Sequence, residues 1–377
     1  MLHSGIREIS NIAITRPETI RLDVGQPDFN TPLHIREAAK TALDEGWTFY
    51  THTQGLMSLR ERLVTKIEAV NGCQVAPEQI ACASGGVGAI AATLASLLAP
   101  GDEVLLPDPG WANYRMMPPP IGARAVYYPL LAEAGYEPDL DRMESLVTPR
   151  TRVLVINSPA NPTGAVFPVR VMEALADFAQ RRNLWLVSDE CYDQILLDPS
   201  LHPHVGPARL LDDGRVVTVY TFSKTYAMTG WRLGYAVGSH QVIDTVTKVL
   251  ESNTSGPSTI AQKAAEAALD GPQDCVAEMV AAYRRRRDVA VDLLDESRLL
   301  VSRPHGAFYV MADISATGID SRQFALRLVN ERGVSVAPGA AFGDVARTAV
   351  RISLASAEPA LREGITRLAE AVEDWSQ

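Results

Sequence analysis

Five lysines stand among the 35 basic residues of this 377-residue chain, and one of them is placed for chemistry. Lys40, Lys66, Lys248 and Lys263 sit in helical runs (IREAAKTAL, RLVTKIEAV, DTVTKVLES and AQKAAEAAL), where a solvated face is the ordinary place for a lysine. Lys224 instead follows the strand-like run Val216-Val-Thr-Val-Tyr-Thr-Phe-Ser and precedes a glycine-containing loop. An amine at the carboxyl end of a hydrophobic strand is suited to forming an imine with a carbonyl compound. Asp189 ends another apolar run, Leu184-Trp-Leu-Val-Ser, where a carboxylate is expensive unless it meets a partner. A protonated ring nitrogen would be such a partner, each group favouring the charged form of the other. Tyr192 and Asn161 offer donors for an oxygen on the same ring, although Asn161-Pro-Thr-Gly164 also suits a plain turn. Thr221 and Ser223 offer hydroxyls, and Arg232 a forked cation that matches a phosphate.

A phosphate also fits Ser84-Gly85-Gly86-Val87-Gly88-Ala89-Ile90, which follows a strand-like run and opens a helical one. Glycines there let the backbone approach closely, and the free N–H groups of a helix start attract an anion. Taken alone, Gly86-x-Gly88-x-x-Ala91 also fits a dinucleotide fingerprint, with Asp108 at the end of the next strand. At this point a nicotinamide enzyme and a tight turn of small residues both remain open.

An amine, an acid for a ring nitrogen, donors for a phenolic oxygen, a phosphate cup and a flat side chain are what pyridoxal 5′-phosphate (PLP) demands of a protein. SPANPTG, SDECY and TFSKTYAMTGWRLG, in this order and spacing, resemble the signature of fold-type I PLP enzymes of the class I aminotransferase family. The resemblance runs from LDVGQPDF near residue 22 to VRISLA near residue 350. It implies that Lys224 is the Schiff-base lysine, that Asp189 faces the pyridine nitrogen, and that Tyr192 and Asn161 flank the phenolate oxygen. Gly85, Gly86 and Val87 form the backbone side of the phosphate cup, which Thr221, Ser223 and Arg232 complete. Trp111 stacks on the ring, and Tyr50 reaches the phosphate of a neighbouring subunit, so a homodimer is implied. Arg351 grips the substrate α-carboxylate, assisted by Gly25 and Asn161. The cup departs from the family at Val87, where a hydroxyl residue often stands, leaving only a backbone N–H.

These residues need elements to hold them. From about residue 35 to 270, strand-like runs (Gln79–Ser84, Glu103–Pro107, Arg152–Asn157, Leu184–Asp189, Val216–Phe222, Leu233–Val237) alternate with helical ones such as Val87–Leu98 and Val169–Arg182. Alternation of this kind predicts an α/β fold with a mainly parallel sheet, whose ligands bind at the carboxyl ends of the strands. Beyond Asp270 the pattern changes to a long helix at Val276–Ser297, strands at Leu299–Val301, Phe308–Asp313, Val334–Ala337 and Thr348–Leu354, and helices at Ser321–Glu331 and Pro359–Asp374. The expected division is a large PLP-binding domain over 31–282 and a smaller α+β domain from 1–30 and 283–377.

Composition narrows the partners. A net charge of −10 disfavours nucleic acid and anionic membranes, and the basic run Arg284–Arg287, followed by Asp288 and Asp292, reads as a solvated helix face. No segment reaches the roughly 18 apolar residues of a membrane span. The first residues carry charges within their apolar stretch and show no cleavage site, which predicts no signal peptide. Four scattered cysteines without a C-x-x-C pair predict reduced thiols in a cytoplasmic protein. His202 and His204 lack a third partner of suitable spacing, so no metal is expected.

The predicted activity is transfer of an amino group from an α-amino acid to a 2-oxo acid. β-Lyases, decarboxylases and oxidases share the fold and compete with that reading. The sensor half of a transcription regulator also uses it, but needs a DNA-binding domain that the short stretch before Leu22 does not supply. Trp111, Tyr114, Tyr226, Phe308 and the segment around Ile6–Ile14 are candidates for the distal pocket, with no second arginine evident for a dicarboxylate.

Overall fold

The computed structural model describes residues 5–201, 203–210 and 214–376. Its centre is a seven-stranded sheet whose strands, numbered along the chain, are β1 (Ile80–Ala83), β2 (Glu103–Asp108), β3 (Arg124–Pro129), β4 (Thr151–Asn157), β5 (Trp185–Asp189), β6 (Val216–Thr221) and β7 (Gly234–Val237). The spatial order is β1-β7-β6-β5-β4-β2-β3. All neighbours run parallel except β7, which is antiparallel to both β1 and β6. Strands buried on both faces read as continuous apolar runs, as β1 and β7 do, and β2 between its terminal Glu103 and Asp108. Helices such as Gly85–Leu97 and Val169–Arg181 cover the faces, packing Ile90, Leu94, Met172 and Leu175 against the sheet. Each such side chain contributes about 1.5–3 kcal/mol on burial.

This topology delivers the site residues to one edge. Asn157 lies opposite Asp189 where β4 and β5 end, and Asp189 opposite Val219 just before β6 ends. Because β7 runs backwards between two strands of equal sense, β1 and β6 both finish against Gly234, which pairs with Ala83 on one side and Thr221 on the other. The glycine loop and the lysine turn therefore emerge side by side. A Cβ on Gly234 would lie 2.5 Å from the Gly86 nitrogen, so only glycine fits between them.

The C-terminal region forms a three-stranded antiparallel sheet in which β10 (Ala349–Ser353) lies between β8 (Tyr309–Asp313) and β9 (Ala337–Pro338). The N-terminal chain joins this part. Ile20–Arg21 pairs in parallel with Val334–Ser335, and Ile9 and Leu22 enter the core formed by Phe308, Phe324, Ile352, Ile365 and Leu368. Among the described residues, no helix is long and apolar enough to cross a membrane.

Four expectations need correction. Leu299–Val301 makes only a single bridge, Leu300 to Ala312, because the chain has just left the long helix Asp274–Glu296. The edge strand β3 was not foreseen; it follows a proline run and is mostly half-exposed, so its apolar signal is weak. The Arg284–Arg287 run is not a solvated face. Arg286 forms a two-pronged ion pair with Asp28, Arg284 donates to the Leu197 carbonyl, and Arg287 is buried against Asp288 and the Pro304 carbonyl. Lys66 is not solvated either. Its amine lies 2.5 Å from Asp193, 2.9 Å from Asn71 and 4.3 Å from the Tyr220 ring centroid.

Candidate active site

Twelve of the fourteen residues singled out from the sequence line one cavity of about 680 Å³. They are Gly25, Gly86, Val87, Trp111, Asn161, Asp189, Tyr192, Thr221, Ser223, Lys224, Arg232 and Arg351. Gly85 lies immediately behind the wall: its φ is +78°, and a Cβ there would be 2.4 Å from the Arg232 guanidinium. Tyr50 is the exception. It is 94% exposed beside Phe49 at 82% and makes no part of this chain's own cavity.

Lys224 sits on a single helical turn, Phe222–Thr225, that continues directly from β6. Its amine donates to the Gly25 carbonyl at 2.6 Å. Burial, reinforced by the cations of Arg351 and Arg232, lowers its pKa to about 8. Asp189 is buried at the tip of β5, accepting from Tyr114 Oη at 2.5 Å and from the Cys191 N–H at 3.2 Å. Burial nevertheless raises its pKa, because those neutral donors do not replace the water it has lost. Asn157, at the tip of β4, braces both neighbours. Its amide donates to the Asp189 carbonyl at 2.9 Å, and its side-chain oxygen accepts from the Asn161 N–H at 2.8 Å.

At the far side, Arg351 projects from β10 and is 2% exposed. It donates to Asn161 Oδ1 at 2.9 Å and to the Asp23 carbonyl at 2.6 Å, while its Nε has no partner. The guanidinium lies 4.2 Å from the Tyr309 ring centroid and 4.9 Å from that of Phe342. At the cup end, Thr221 Oγ1 is 3.0 Å from Ser223 Oγ, and Arg232 donates to the Thr229 and Ser84 carbonyls without any ion pair to a described carboxylate.

The distal candidates divide. Trp111, Ile6 and Ile14 line the cavity. Tyr114, Tyr226 and Phe308 do not: Tyr114 is turned onto Asp189, Tyr226 bonds Gln273 at 3.0 Å, and Phe308 is fully buried in the neighbouring core. Two arginines not foreseen there, Arg7 and Arg21, also line the cavity. Arg21 is consumed by Asp23 and Ser10, whereas Arg7, exposed on the helix Gly5–Ile14, has no ion pair with any described residue. Tyr309 was also missed; its hydroxyl lies 2.8 Å from that of Tyr192.

The rival reading of the glycine loop loses its geometry. A dinucleotide fold needs parallel neighbouring strands around that loop, but β1 is an edge strand bonded only to antiparallel β7. Asp108 is committed elsewhere, accepting from the N–H groups of Asp344 and Val345. His202 lies outside the described residues, and His204 is buried 3.8 Å from Glu190.

Comparison with known proteins agrees with the geometry. Residues 17–371 match the family model described as aminotransferase class I and II. The aspartate/prephenate aminotransferase of Thermus thermophilus is 42% identical over 93% of this chain and 90% of its own. An arginine–pyruvate transaminase of Pseudomonas aeruginosa is 38% identical over 93% of this chain and 89% of its own. The solved aspartate aminotransferase of Thermus thermophilus with maleate superposes with a TM-score of 0.93 at 39% identity, covering 98% of this chain and 97% of that one. An amine, a buried acid and a buried arginine around one cavity, with a match to these enzymes over more than nine-tenths of the chain, make the protein a member of the class I and II aminotransferase family.

Proposed function

We propose that this aminotransferase works with PLP carried on Lys224, moving an amino group from an α-amino acid to a 2-oxo acid. The observation that carries the reading is the pairing, in one cavity, of a pKa-lowered amine with a buried carboxylate that forms no ion pair among the described residues. The residues fit the group. Arg232, without an anionic partner among the described residues, the hydroxyls of Thr221 and Ser223, and the N–H groups of Gly86 and Val87 suit a phosphate. Asp189 suits a ring N–H, and Tyr192 and Asn161 an anionic ring oxygen. Trp111 supplies a flat apolar face. When bound, PLP supplies a reactive aldehyde and an electron-withdrawing pyridinium ring.

The chain does the rest. Arg351 receives the substrate α-carboxylate with its free Nε–H and an adjoining N–H, and this grip directs the Cα–H bond toward Lys224. Lys224 Nζ, largely neutral above pH 8, takes the α-proton and returns it on the other side of the reaction. Exposed Trp47, Phe49 and Tyr50 support a homodimer in which Tyr50 completes the partner's phosphate cup. The test is a single turnover with amino acid and no acceptor. One 2-oxo acid per site should form as the visible band bleaches, with no ammonia; catalytic ammonia release would instead mark a lyase.

For the donor side chain, an anionic class is proposed. Arg7 is a cavity-lining cation without an ion-pair partner among the described residues, and Glu8 beside it is held by Arg322. The Thermus relative is named for aspartate and prephenate. Arg7→Gln should raise KM for aspartate about fivefold, the worth of an exposed ion pair near 1 kcal/mol, while alanine and phenylalanine stay within about twofold. An equal change for all donors would refute that role.

A further inference from the structure

Tyr309 enters the site through three separate contacts. Its hydroxyl is 2.8 Å from Tyr192 Oη. Its ring carries the Arg351 guanidinium, 4.2 Å from the centroid. A Cβ on Gly25 would lie 2.3 Å from its hydroxyl, so it also packs on the residue whose carbonyl takes the Lys224 amine. The register explains the arrangement. Tyr309 on β8 pairs with Ser353 on β10, and Arg351, two residues before Ser353, shares that face of the sheet.

A pair of facing hydroxyls has two proton arrangements, and the stronger acid donates. Burial disfavours ionisation of both tyrosines, but the Arg351 cation offsets it chiefly at Tyr309, on whose ring it rests. We propose that Tyr309 donates to Tyr192 Oη and so directs the Tyr192 proton into the cavity, toward the ring oxygen of the cofactor. Tyr309 is thus a positioning residue acting through Tyr192. The inference rests on the PLP reading above and adds a residue to it.

Its consequence is spectroscopic. Accepting one hydrogen bond makes Tyr192 a stronger donor of the next. A strong donor at the ring oxygen stabilises negative charge there, which lowers the apparent pKa of the visible band of the loaded enzyme. In Tyr309→Phe the ring under Arg351 remains, so KM for the amino donor should stay within about twofold. The apparent pKa of the band should rise by roughly half to one unit, the worth of one hydrogen bond. Tyr192→Phe should raise it at least as far. The variant carrying both changes should titrate with Tyr192→Phe alone, because the Tyr309 hydroxyl acts on the ring through Tyr192 while the Phe ring keeps the contacts to Arg351. An unshifted band in Tyr309→Phe, or shifts that add in the double variant, would overturn the proposal. A loaded wild-type protein with no visible band would remove the PLP reading, and this one with it.

Discussion

Lys224→Ala is expected to reduce steady-state transamination by at least about 10⁴-fold, since on the proposed reading it removes both the attachment point and the proton carrier. No other lysine can substitute. Lys66 is held by Asp193 and Asn71, and Lys263 is paired with Glu266. Lys40 and Lys248 are largely exposed and paired with Glu37 and Asp244. Purified wild-type protein should be yellow and bleach with borohydride, fixing the cofactor covalently; the alanine variant should retain no such adduct. The pH dependence follows from the environment. Burial holds the Lys224 pKa at about 8, so the neutral amine dominates above that pH. Attack of the apoenzyme on an uncharged aldehyde should therefore reach half its maximum near pH 8, well below the roughly 10.4 of an ordinary lysine. Turnover within about tenfold of wild type in the alanine variant, or a midpoint near 10, would contradict this account.

The placement of Lys224 was legible because strands and helices use lysine differently. An amine ending a run like VVTVYTFS has no solubility role, and the structure finds it bonded to Gly25 in a cavity. Asp189 was legible for the same reason, an acid at the tip of an apolar strand. What the sequence concealed is register. Strands near Tyr309 and Arg351 were both expected, but which residues share a face depends on the pairing of Tyr309 with Ser353, a contact between segments more than forty residues apart. The distal wall was concealed similarly: Arg7 lines the cavity because the first helix is held there by distant segments, Ile9 in the C-terminal core, Glu8 on Arg322 and Ile20–Arg21 paired with Val334–Ser335. Tyr114 misled because an aromatic next to the cavity's own Asn113 reads as a pocket wall until its hydroxyl is seen on Asp189. Lys66 misled for the converse reason. Helical periodicity shows which face a lysine occupies, not what a distant turn such as the one carrying Asp193 brings against it.

Asp189→Asn should separate stability from catalysis. The amide keeps the shape, and its oxygen still accepts from Tyr114, so the fold at the tip of β5 should persist. In the apoenzyme the carboxylate is a net cost, because burial raises its pKa above the unfolded value. A group raised in this way stabilises the fold while protonated and loses that contribution as pH rises through its folded pKa. At neutral pH, removing the charge should leave the apoenzyme melting temperature unchanged or higher. Catalysis should move the other way. A neutral amide cannot hold a proton on a ring nitrogen, and losing one member of a buried ion pair costs about 3–5 kcal/mol. That corresponds to a fall of about two to four powers of ten in kcat/KM. The measurement is thermal unfolding of the apoenzyme beside kinetics of the loaded one. If both fell together, Asp189 would be a structural acid; if only kinetics falls, the carboxylate is kept in an unfavourable place for the sake of the ring it faces.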